Sequence, residues 1–507
     1  MKQEGIKSSR KTVKTKWNTA LRLTAAALLC SVFMAQGVSA DRITSYTYNR
    51  EGKDADDYFA APAPCPYNYE KSIHARDLGV DSLYKLSSLF VSDEYVYISA
   101  GASIIITDHD FQTKRIITGF TDDSGEQALT DINGLWVTEE GELYACEPGR
   151  GRVLHFNSDW TIKRILGRPE GIVISESVSY QPLKIAVDSV GRMYVVANNI
   201  YEGIVEMNAD GTFSRYFGKV NVKFTAAQLF WRTLQTEAQR ALSAAWLPVN
   251  FSNLTIDKED FVYATVAGSG EKEPIRKLNA KGSNILRFPV STEIKPHGDL
   301  TVNKYGQSIP TGESTITTVD VNEYGVYVVL DSKRSRIFAY DEDGYMLYAF
   351  GEAGITRGRF QTPADVRFME DKLLVADRGS MSIEVYALND YGRSIHLAAQ
   401  YQAQSDYRAA AAEWEKAVDY NPSFQYAYVG IGKALYRDGD YEAARQYFLL
   451  GQDVEYYSEA YKKTRQSFVS DKFAGIALVA GILAVLWIVA KRLKKRRLRT
   501  GRVRGLK

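Results

Sequence analysis

Four polar residues stand just before apolar, β-type segments of the chain, where their side chains could do chemistry. They are Asn133, Lys184, Asn253 and Asp365. One carboxylate and two carboxamides can hold Ca²⁺ weakly through their oxygen atoms, whereas a lysine beside them places a positive charge near the ion. Asn133 and Asp365 are therefore weak candidates for a calcium site. No other cofactor is predicted, and no residue is assigned as catalytic.

A repeated unit of the sequence must position these residues. The sequence contains six copies of one pattern, which consists of an apolar run, a polar turn and a second β-type run. The central residues of the second runs are Tyr97, Tyr144, Tyr194, Tyr263, Tyr327 and Leu374. They lie 47, 50, 69, 64 and 47 residues apart, and four short strands with their turns need about 40–50 residues. This period predicts a mainly β fold, a six-bladed β-propeller over residues 83–390, with the four polar residues facing its central channel.

The last copy resembles the NHL repeat, a propeller-blade family with the pattern P-x-G/D-V, then V-A-D, then R-I-x-V-F. The matching segments are 363–366 (PADV), 375–378 (VADR) and 383–386 (IEVY). The resemblance implies a closed NHL-type propeller. In gluconolactonase-like members it also implies a divalent ion in the channel, held by one Glu with Asn and Asp side chains. Asn133 and Asp365 match that set. Ser87 and Ser88 stand where the glutamate would be.

Two enzyme classes follow from this resemblance, and the residues favour neither. Without the glutamate, the channel would hardly build a metal-dependent lactonase. Peptide amidating lyases of the NHL type hold zinc with three histidines, but no histidine of this chain precedes an inner strand. The histidines are His74, His109, His155, His297 and His396. A metal-dependent lactonase or lyase acting in the channel is therefore the alternative to a non-catalytic role.

A second module is predicted at residues 391–470. The sequence around Ala410 returns 34 residues later around Ala444, and Trp414 matches Phe448 in the same register. This period, with a small residue where two helices approach and an aromatic ring filling the groove, resembles the tetratricopeptide (TPR) repeat. A pair of TPR repeats would bind an extended peptide or a partner helix, or would act as a stiff spacer.

The two ends of the chain predict export and membrane anchoring. Residues 1–40 combine a basic segment, an apolar stretch and a small-residue cleavage site, as in a signal peptide. Residues 473–490 carry no charge and would span about 27 Å as a transmembrane helix. The tail at 491–507 carries ten Lys and Arg and no acid, and such tails stay in the cytoplasm. We expect a single-pass cell-membrane protein whose N-terminal segment 41–82 and following domains are extracellular.

The charge distribution argues against a nucleic-acid partner. The chain has a net charge of +2, but both ends are strongly basic, so the region between them is acidic. An acidic ectodomain repels polyanions. Cys65 and Cys146 are too few for a disulfide framework, and whether they pair is left open.

Two interruptions of the blade pattern are candidate binding regions. Residues 222–248 place apolar residues at helical spacing, which predicts an amphipathic helix inserted in the propeller. Phe230, Trp231 and Trp246 could dock a membrane partner or lipid headgroups, or pack against a propeller face. Residues 288–315 are rich in Pro and Gly and predict a long surface loop.

The whole arrangement resembles cell-surface NHL–TPR proteins of Bacillota, often described as gluconolactonase-like. That resemblance implies a place beside carbohydrate ABC-transporter components. The leading hypothesis is a membrane-anchored extracellular binding or scaffold protein, accessory to carbohydrate uptake or envelope assembly. The chain has 33 Tyr and seven Trp, which fits a surface that stacks on sugars, so a glycan is a candidate ligand beside a protein partner.

Overall fold

The computed structural model describes residues 44–50, 58–172, 178–218, 250–268, 273–288, 295–299 and 314–504. The predicted signal peptide lies outside these residues. So does the predicted helical insert with Phe230, Trp231 and Trp246, together with most of the predicted loop at 288–315.

The β-rich part of the chain is a six-bladed β-propeller. Each blade is an antiparallel sheet, and the six innermost strands contact one another around a closed ring. Three strands precede the first blade: β1 (Ser45–Arg50), β2 (Tyr58–Pro62) and β3 (Tyr67–His74). The first blade consists of β4 (Leu86–Val91), β5 (Val96–Ala100), β6 (Ser103–Thr107) and β7 (Thr113–Ile117), and the hairpin β8 (Gly119–Asp122) and β9 (Gly125–Ala128) follows it. The second blade consists of β10 (Leu135–Val137), β11 (Leu143–Glu147), β12 (Arg152–Phe156) and β13 (Ile162–Leu166). The third blade consists of β14 (Gln181–Val187), β15 (Met193–Asn198), β16 (Ile204–Met207) and β17 (Phe213–Phe217). The last three consist of β18 (Asn250–Ile256), β19 (Val262–Ala267) and β20 (Ile275–Leu278), then β21 (Ile316–Val321), β22 (Tyr327–Asp331), β23 (Arg336–Tyr340) and β24 (Met346–Phe350), then β25 (Pro363–Met369), β26 (Lys372–Asp377) and β27 (Ser382–Leu388).

The blades are held together by apolar side chains that alternate along the strands. Successive residues of a strand point to opposite faces of the sheet, and in a ring each face meets a neighbouring blade. The central residues of the six predicted copies, at positions 97, 144, 194, 263, 327 and 374, are all buried. Apolar clusters join every pair of neighbouring blades around the ring.

The ring is closed by a strand from the N-terminal side of the chain. β3 pairs antiparallel with β27, from Tyr67 opposite Leu388 to His74 opposite Ser382. β1 pairs with β24 and extends the fifth blade. The sequence analysis set residues 41–82 apart from a propeller at 83–390, and in the structure the strand at 67–74 pairs with the last blade. A strand edge left at β27 would expose a row of unpaired N–H and C=O groups, and β3 satisfies them.

Five helices follow the propeller: α1 (Asp390–Ala403), α2 (Tyr407–Tyr420), α3 (Gln425–Asp438), α4 (Tyr441–Leu450) and α5 (Val454–Arg504). We call residues 390–460 the helical module. Asp406 and Asp440 cap α2 and α4 by accepting the N–H three residues on, as Asp at an N-cap commonly does.

The four residues assigned to helix packing are fully buried: Ala410, Trp414, Ala444 and Phe448. A Cβ added at Gly430 would lie 2.5 Å from Nε1 of Trp414, and one at Gly432 would lie 2.6 Å from Cε1 of Phe448. The two glycines of α3 therefore let the two large rings lie directly against its backbone.

The last helix, α5, is 51 residues long. Its segment Gly475–Lys495 is long and apolar enough to cross a membrane, and none of its 18-residue apolar window is buried in the protein. Among the described residues it is the one helix with these properties. An unburied apolar helix of this length favours membrane anchoring.

We expect the ring closure to control the stability of the propeller. Ile73 on β3 is buried between the first and last blades, so Ile73→Ala should cost about 2–5 kcal/mol of unfolding free energy. Asn68 lies on the same strand and is exposed, so Asn68→Ala should change it by less than about 0.5 kcal/mol. Denaturant unfolding of both variants checks this, and equal effects would contradict the role of β3.

Candidate functional site

In each blade a β-bulge falls at one position of the innermost strand, and we call these six positions together the neck of the channel. The register of the innermost strand shifts at this position in five blades: Leu86/Ser88, Pro182/Lys184, Phe251/Asn253, Ile316/Thr318 and Pro363/Asp365. In the second blade, the N–H of Asn133 and the carbonyl of Gly134 both bond to Cys146, which gives the same two-against-one pairing. Bulges bend a strand and redirect its side chains.

Asp365 is the centre of this neck. The residue is fully buried, and its carboxylate accepts four hydrogen bonds. Ser88 Oγ and the N–H of Leu89, in the first blade, donate to Oδ2 at 2.9 and 3.0 Å. Thr318 Oγ1, in the fifth blade, donates to Oδ1 at 2.8 Å, and the N–H of Val366 donates to the same atom at 3.0 Å. One carboxylate thus joins the first, fifth and sixth blades.

Two cations balance the charge of Asp365. Nζ of Lys184 and Nη2 of Arg367 each lie 3.7 Å from its Oδ2. Burial acts to raise the pKa of the Asp365 carboxyl, but Arg367 and Lys184, together with the hydrogen bonds from Leu89 and Thr318, hold this pKa below its usual value. Arg367 also pairs with Asp320 at 3.0 Å. The carboxyl of Asp320 is partly exposed, and the burial of the rest of the group raises its pKa.

The remaining predicted channel residues differ in their surroundings. Lys184 donates to the carbonyl of Ser87 at 3.1 Å, and burial lowers the pKa of its amine although Asp365 acts to raise it. Asn253 donates through Nδ2 to Thr318 at 2.8 Å, while its buried Oδ1 has no partner among the described residues. Asn133 contributes its backbone carbonyl, which accepts from Ser99 Oγ at 3.1 Å.

This neck is organised as a structural junction. Metal binding at Asp365 would have to replace hydrogen bonds that both of its oxygens already accept, and two cations stand beside it. Within the described ranges, no three His, Cys, Asp or Glu residues are grouped so that they could hold a metal ion. Calcium at Asn133 and Asp365 remains a prediction from the sequence. Cys65 and Cys146 are both free thiols in this structure.

A second polar cluster lies where the fifth blade meets the helical module. Lys433 of α3 is buried and pairs with Asp343 at 2.8 Å. Its Nζ lies 4.3, 5.5 and 5.3 Å from the ring centroids of Tyr345, Tyr426 and Tyr456. Burial acts to lower the pKa of the Lys433 amine, but nearby carboxylates raise it above its usual value. Lys433 is therefore a buried cation held by a carboxylate and three aromatic rings.

Further contacts fix the helical module on the propeller. Tyr345 and Tyr426 stack with their centroids 4.4 Å apart. Tyr426 donates to Asp341, whose pKa burial raises to about 6. His396 of α1 forms a 2.7 Å hydrogen bond with the hydroxyl of Tyr348. The surfaces of α1 and α3 therefore face the fifth blade.

This junction was missed from the sequence. In α3, Tyr426, Val429 and Lys433 lie at helical spacing, so a lysine occupies the apolar stripe of an amphipathic helix. A cation at such a position indicates a buried partner of opposite charge. The sequence does not show that the partner, Asp343, lies in a turn of the fifth blade 90 residues earlier.

Beside Lys433 the two parts of the protein leave a cleft of about 450 Å³. The propeller contributes Tyr324 and the turn at residues 341–343, and the helices contribute Gln402, Tyr407 and Tyr436 among other residues. The volume lies within the range of small-ligand sites, roughly 300–1,000 Å³.

Comparisons with known proteins find similarity only to solved structures. No protein-family model matches the chain, and no curated protein matches it. Similar solved structures include a streptogramin B lyase (12% identity, TM-score 0.39, covering 64% of this chain and 98% of that one). A virginiamycin B lyase from Staphylococcus aureus has 13% identity and a TM-score of 0.40, covering 64% and 100%. A gluconolactonase from Xanthomonas campestris has 13% identity and a TM-score of 0.38, covering 65% and 99%. At this level the similarity carries no argument about chemistry.

We expect Asp365→Asn to destabilise the propeller by about 3–5 kcal/mol, because Lys184 and Arg367 would keep their charges in a buried site without their shared carboxylate. Asp110→Asn, at an exposed position, should change stability by less than about 0.5 kcal/mol. Adding Lys184→Met to Asp365→Asn should recover part of the loss. Denaturant unfolding with and without calcium is the measurement. A calcium-induced gain that only the wild type shows would instead make Asp365 a metal ligand.

The His396 contact should make the protein less stable in mild acid. Burial lowers the pKa of His396 to about 4 in the folded protein, against about 6.5 in the unfolded chain. The unfolded state therefore binds more protons between these values, so about 3 kcal/mol of stability is lost as the pH falls from 6.5 to 4.

The matched variant for this effect is His396→Phe, which keeps a ring and cannot titrate. The raised pKa of Asp341 works in the opposite direction over part of the same range, since its folded form then holds the extra proton. Only the difference between wild type and variant isolates His396. Parallel stability curves from pH 7 to pH 4 would refute the assignment.

Proposed function

We propose that this protein is a membrane-anchored extracellular binding and scaffold protein. Its NHL-type propeller and TPR-type helices would form one rigid body outside the cell, held by the helix at 475–495. Four of the six blades have four strands in the described part of the chain, and these with the NHL-like strand ends support the first assignment. The second is supported by the 34-residue offset between the capping residues Asp406 and Asp440 and by the packing of Trp414 and Phe448 on α3.

One observation carries the proposal against an enzyme in the channel. Asp365 is fully buried at the neck and both of its carboxylate oxygens accept hydrogen bonds, so this carboxylate already has a structural role. A catalytic carboxylate or metal ligand needs oxygen atoms that a substrate or ion can reach. A lactonase or lyase in the channel therefore remains the weaker alternative.

The helical module is proposed to act as an adaptor rather than as an open peptide groove. The helices α1 and α3 contact the fifth blade through His396 and Lys433, so the faces that they turn towards the propeller are not open to a peptide. A protein partner, such as a component of a carbohydrate ABC transporter, would then bind the outer surfaces of the module.

Orientation in the membrane tests this proposal. In intact cells that express the full chain with a C-terminal epitope, external protease should digest the propeller and leave the epitope protected, because the basic tail stays inside. Permeabilised cells are the control, in which the epitope should also be lost. An epitope digested in intact cells, or lactone hydrolysis by the wild type that Asp365→Asn abolishes, would overturn the proposed function.

A further inference from the structure

The cleft between the fifth blade and the helical module has polar groups that the fold itself does not use. Gln402, Tyr407, Arg437 and Glu459 line it. Among the described residues, none of these four side chains has a hydrogen-bond or ion-pair partner. Lys433 and Asp343, at the base of the cleft, form an ion pair with each other. The base of the cleft is therefore built by the fold, and its walls are left with free donors and acceptors.

The charges of the cleft favour a ligand without net charge. Its acidic residues are Asp341, Glu342, Asp343 and Glu459, and its basic residues are Arg287, Lys433 and Arg437. The groups nearest its base neutralise each other, since Lys433 and Arg287 both pair with Asp343 at 2.8 and 3.3 Å. A phosphate or an acidic peptide would meet an excess of carboxylates. A strongly cationic ligand would meet the two cations, Lys433 and Arg287, that already pair with Asp343 at the base of the cleft.

The mixture of groups matches the chemistry of a sugar. Sugar rings offer an apolar C–H face that packs on aromatic rings, and hydroxyls that both donate and accept hydrogen bonds. Tyr324, Tyr407 and Tyr436 are half-buried at the cleft, so part of each ring remains exposed. The carboxamide of Gln402 and the carboxylate of Glu459 supply hydrogen-bonding atoms for hydroxyls.

We propose that this cleft binds a neutral oligosaccharide, and the proposal rests on the extracellular binding role given above. The ligand would contact the propeller through Tyr324 and the helices through Tyr407 and Tyr436. Since the Lys433 cluster fixes the two walls relative to each other, the site is preformed and loses little free energy to ordering on binding.

The test uses the full chain solubilised in detergent. Neutral di-, tri- and tetrasaccharides of glucose, xylose, galactose, mannose and arabinose are added singly, and thermal melting and tyrosine and tryptophan fluorescence are recorded. Oligogalacturonate, an Asp/Glu-rich peptide and a Lys/Arg-rich peptide serve as charged comparisons. At least one neutral oligosaccharide should raise the melting temperature, because a ligand that binds only the folded protein stabilises it by mass action.

Variants then locate the site. Tyr436→Ala should weaken binding about tenfold through loss of the stacked ring. Gln402→Ala, at a half-buried side chain that has no hydrogen-bond partner among the described residues, should weaken it severalfold and leave the fold intact. Tyr84→Ala, an exposed tyrosine of the propeller outside the cleft, should bind as the wild type does.

The proposal is overturned if no neutral oligosaccharide shifts the melting temperature. It is equally overturned if a sugar binds with unchanged affinity in Tyr436→Ala and Gln402→Ala, or if only a charged comparison ligand binds. These outcomes are separate from the orientation test. A cytoplasmic propeller would refute the proposed function without changing sugar binding by the solubilised protein.

Discussion

A buried carboxylate at the centre of a ring has to be satisfied by the ring itself, and much of this propeller is arranged around that requirement. Asp365 loses its hydration on folding, a cost that only hydrogen bonds and opposite charges can offset. Its partners come from the first, third, fifth and sixth blades, so the blades must be in register before the carboxylate is satisfied. The bulge in each innermost strand brings those partners inward. Closure by β3 then removes the open strand edge of the last blade. The chemistry at the neck thus stabilises one ring geometry and leaves the carboxylate no free oxygen for a ligand.

The same logic operates at the junction between the propeller and the helical module. Lys433 is buried between Asp343 and three tyrosine rings. If the propeller and the helical module separated, the lysine and the carboxylate would each lose their partner. Aromatic stacking between Tyr345 and Tyr426 adds apolar contact at the same place. Since these interactions are short-ranged and depend on orientation, they fix the angle between the modules. The helices behave as an extension of the fifth blade, and the cleft beside Lys433 has walls of defined spacing.

The sequence predicted those features that depend on local periodicity. Apolar runs of period two, whose centres lie 47 to 69 residues apart, predicted six blades, and the uncharged stretch after residue 472 predicted an apolar helix able to span a membrane. Features that depend on distant pairing could not be read in this way. β3 has no blade pattern of its own, and its place beside β27 follows only from ring closure across more than 300 residues. The register of the predicted strands put Asn253 and Asp365 just before innermost strands, and in the structure both lie at β-bulges of those strands. The hydrogen bonds that Asp365 accepts from Ser88, Leu89 and Thr318 were not predicted. Hydrogen-bond partners are determined by proximity in three dimensions, which leaves no regular spacing in the sequence.

The continuity of α5 relates the cleft to the membrane. Glu459 lines the cleft, and the apolar segment of the same unbroken helix begins at Gly475. At 1.5 Å per residue, the 16 positions between them correspond to about 24 Å along the helix axis. A helix transmits this spacing more rigidly than a flexible linker of the same number of residues, whose ends would sample a wide range of separations. The first residues of α5 are also held by the module, through the stacking of Tyr456 on Phe448 and the burial of Ala460. If α5 anchors the protein as proposed, a ligand in the cleft would therefore stay near the bilayer surface, at a distance set by the helix.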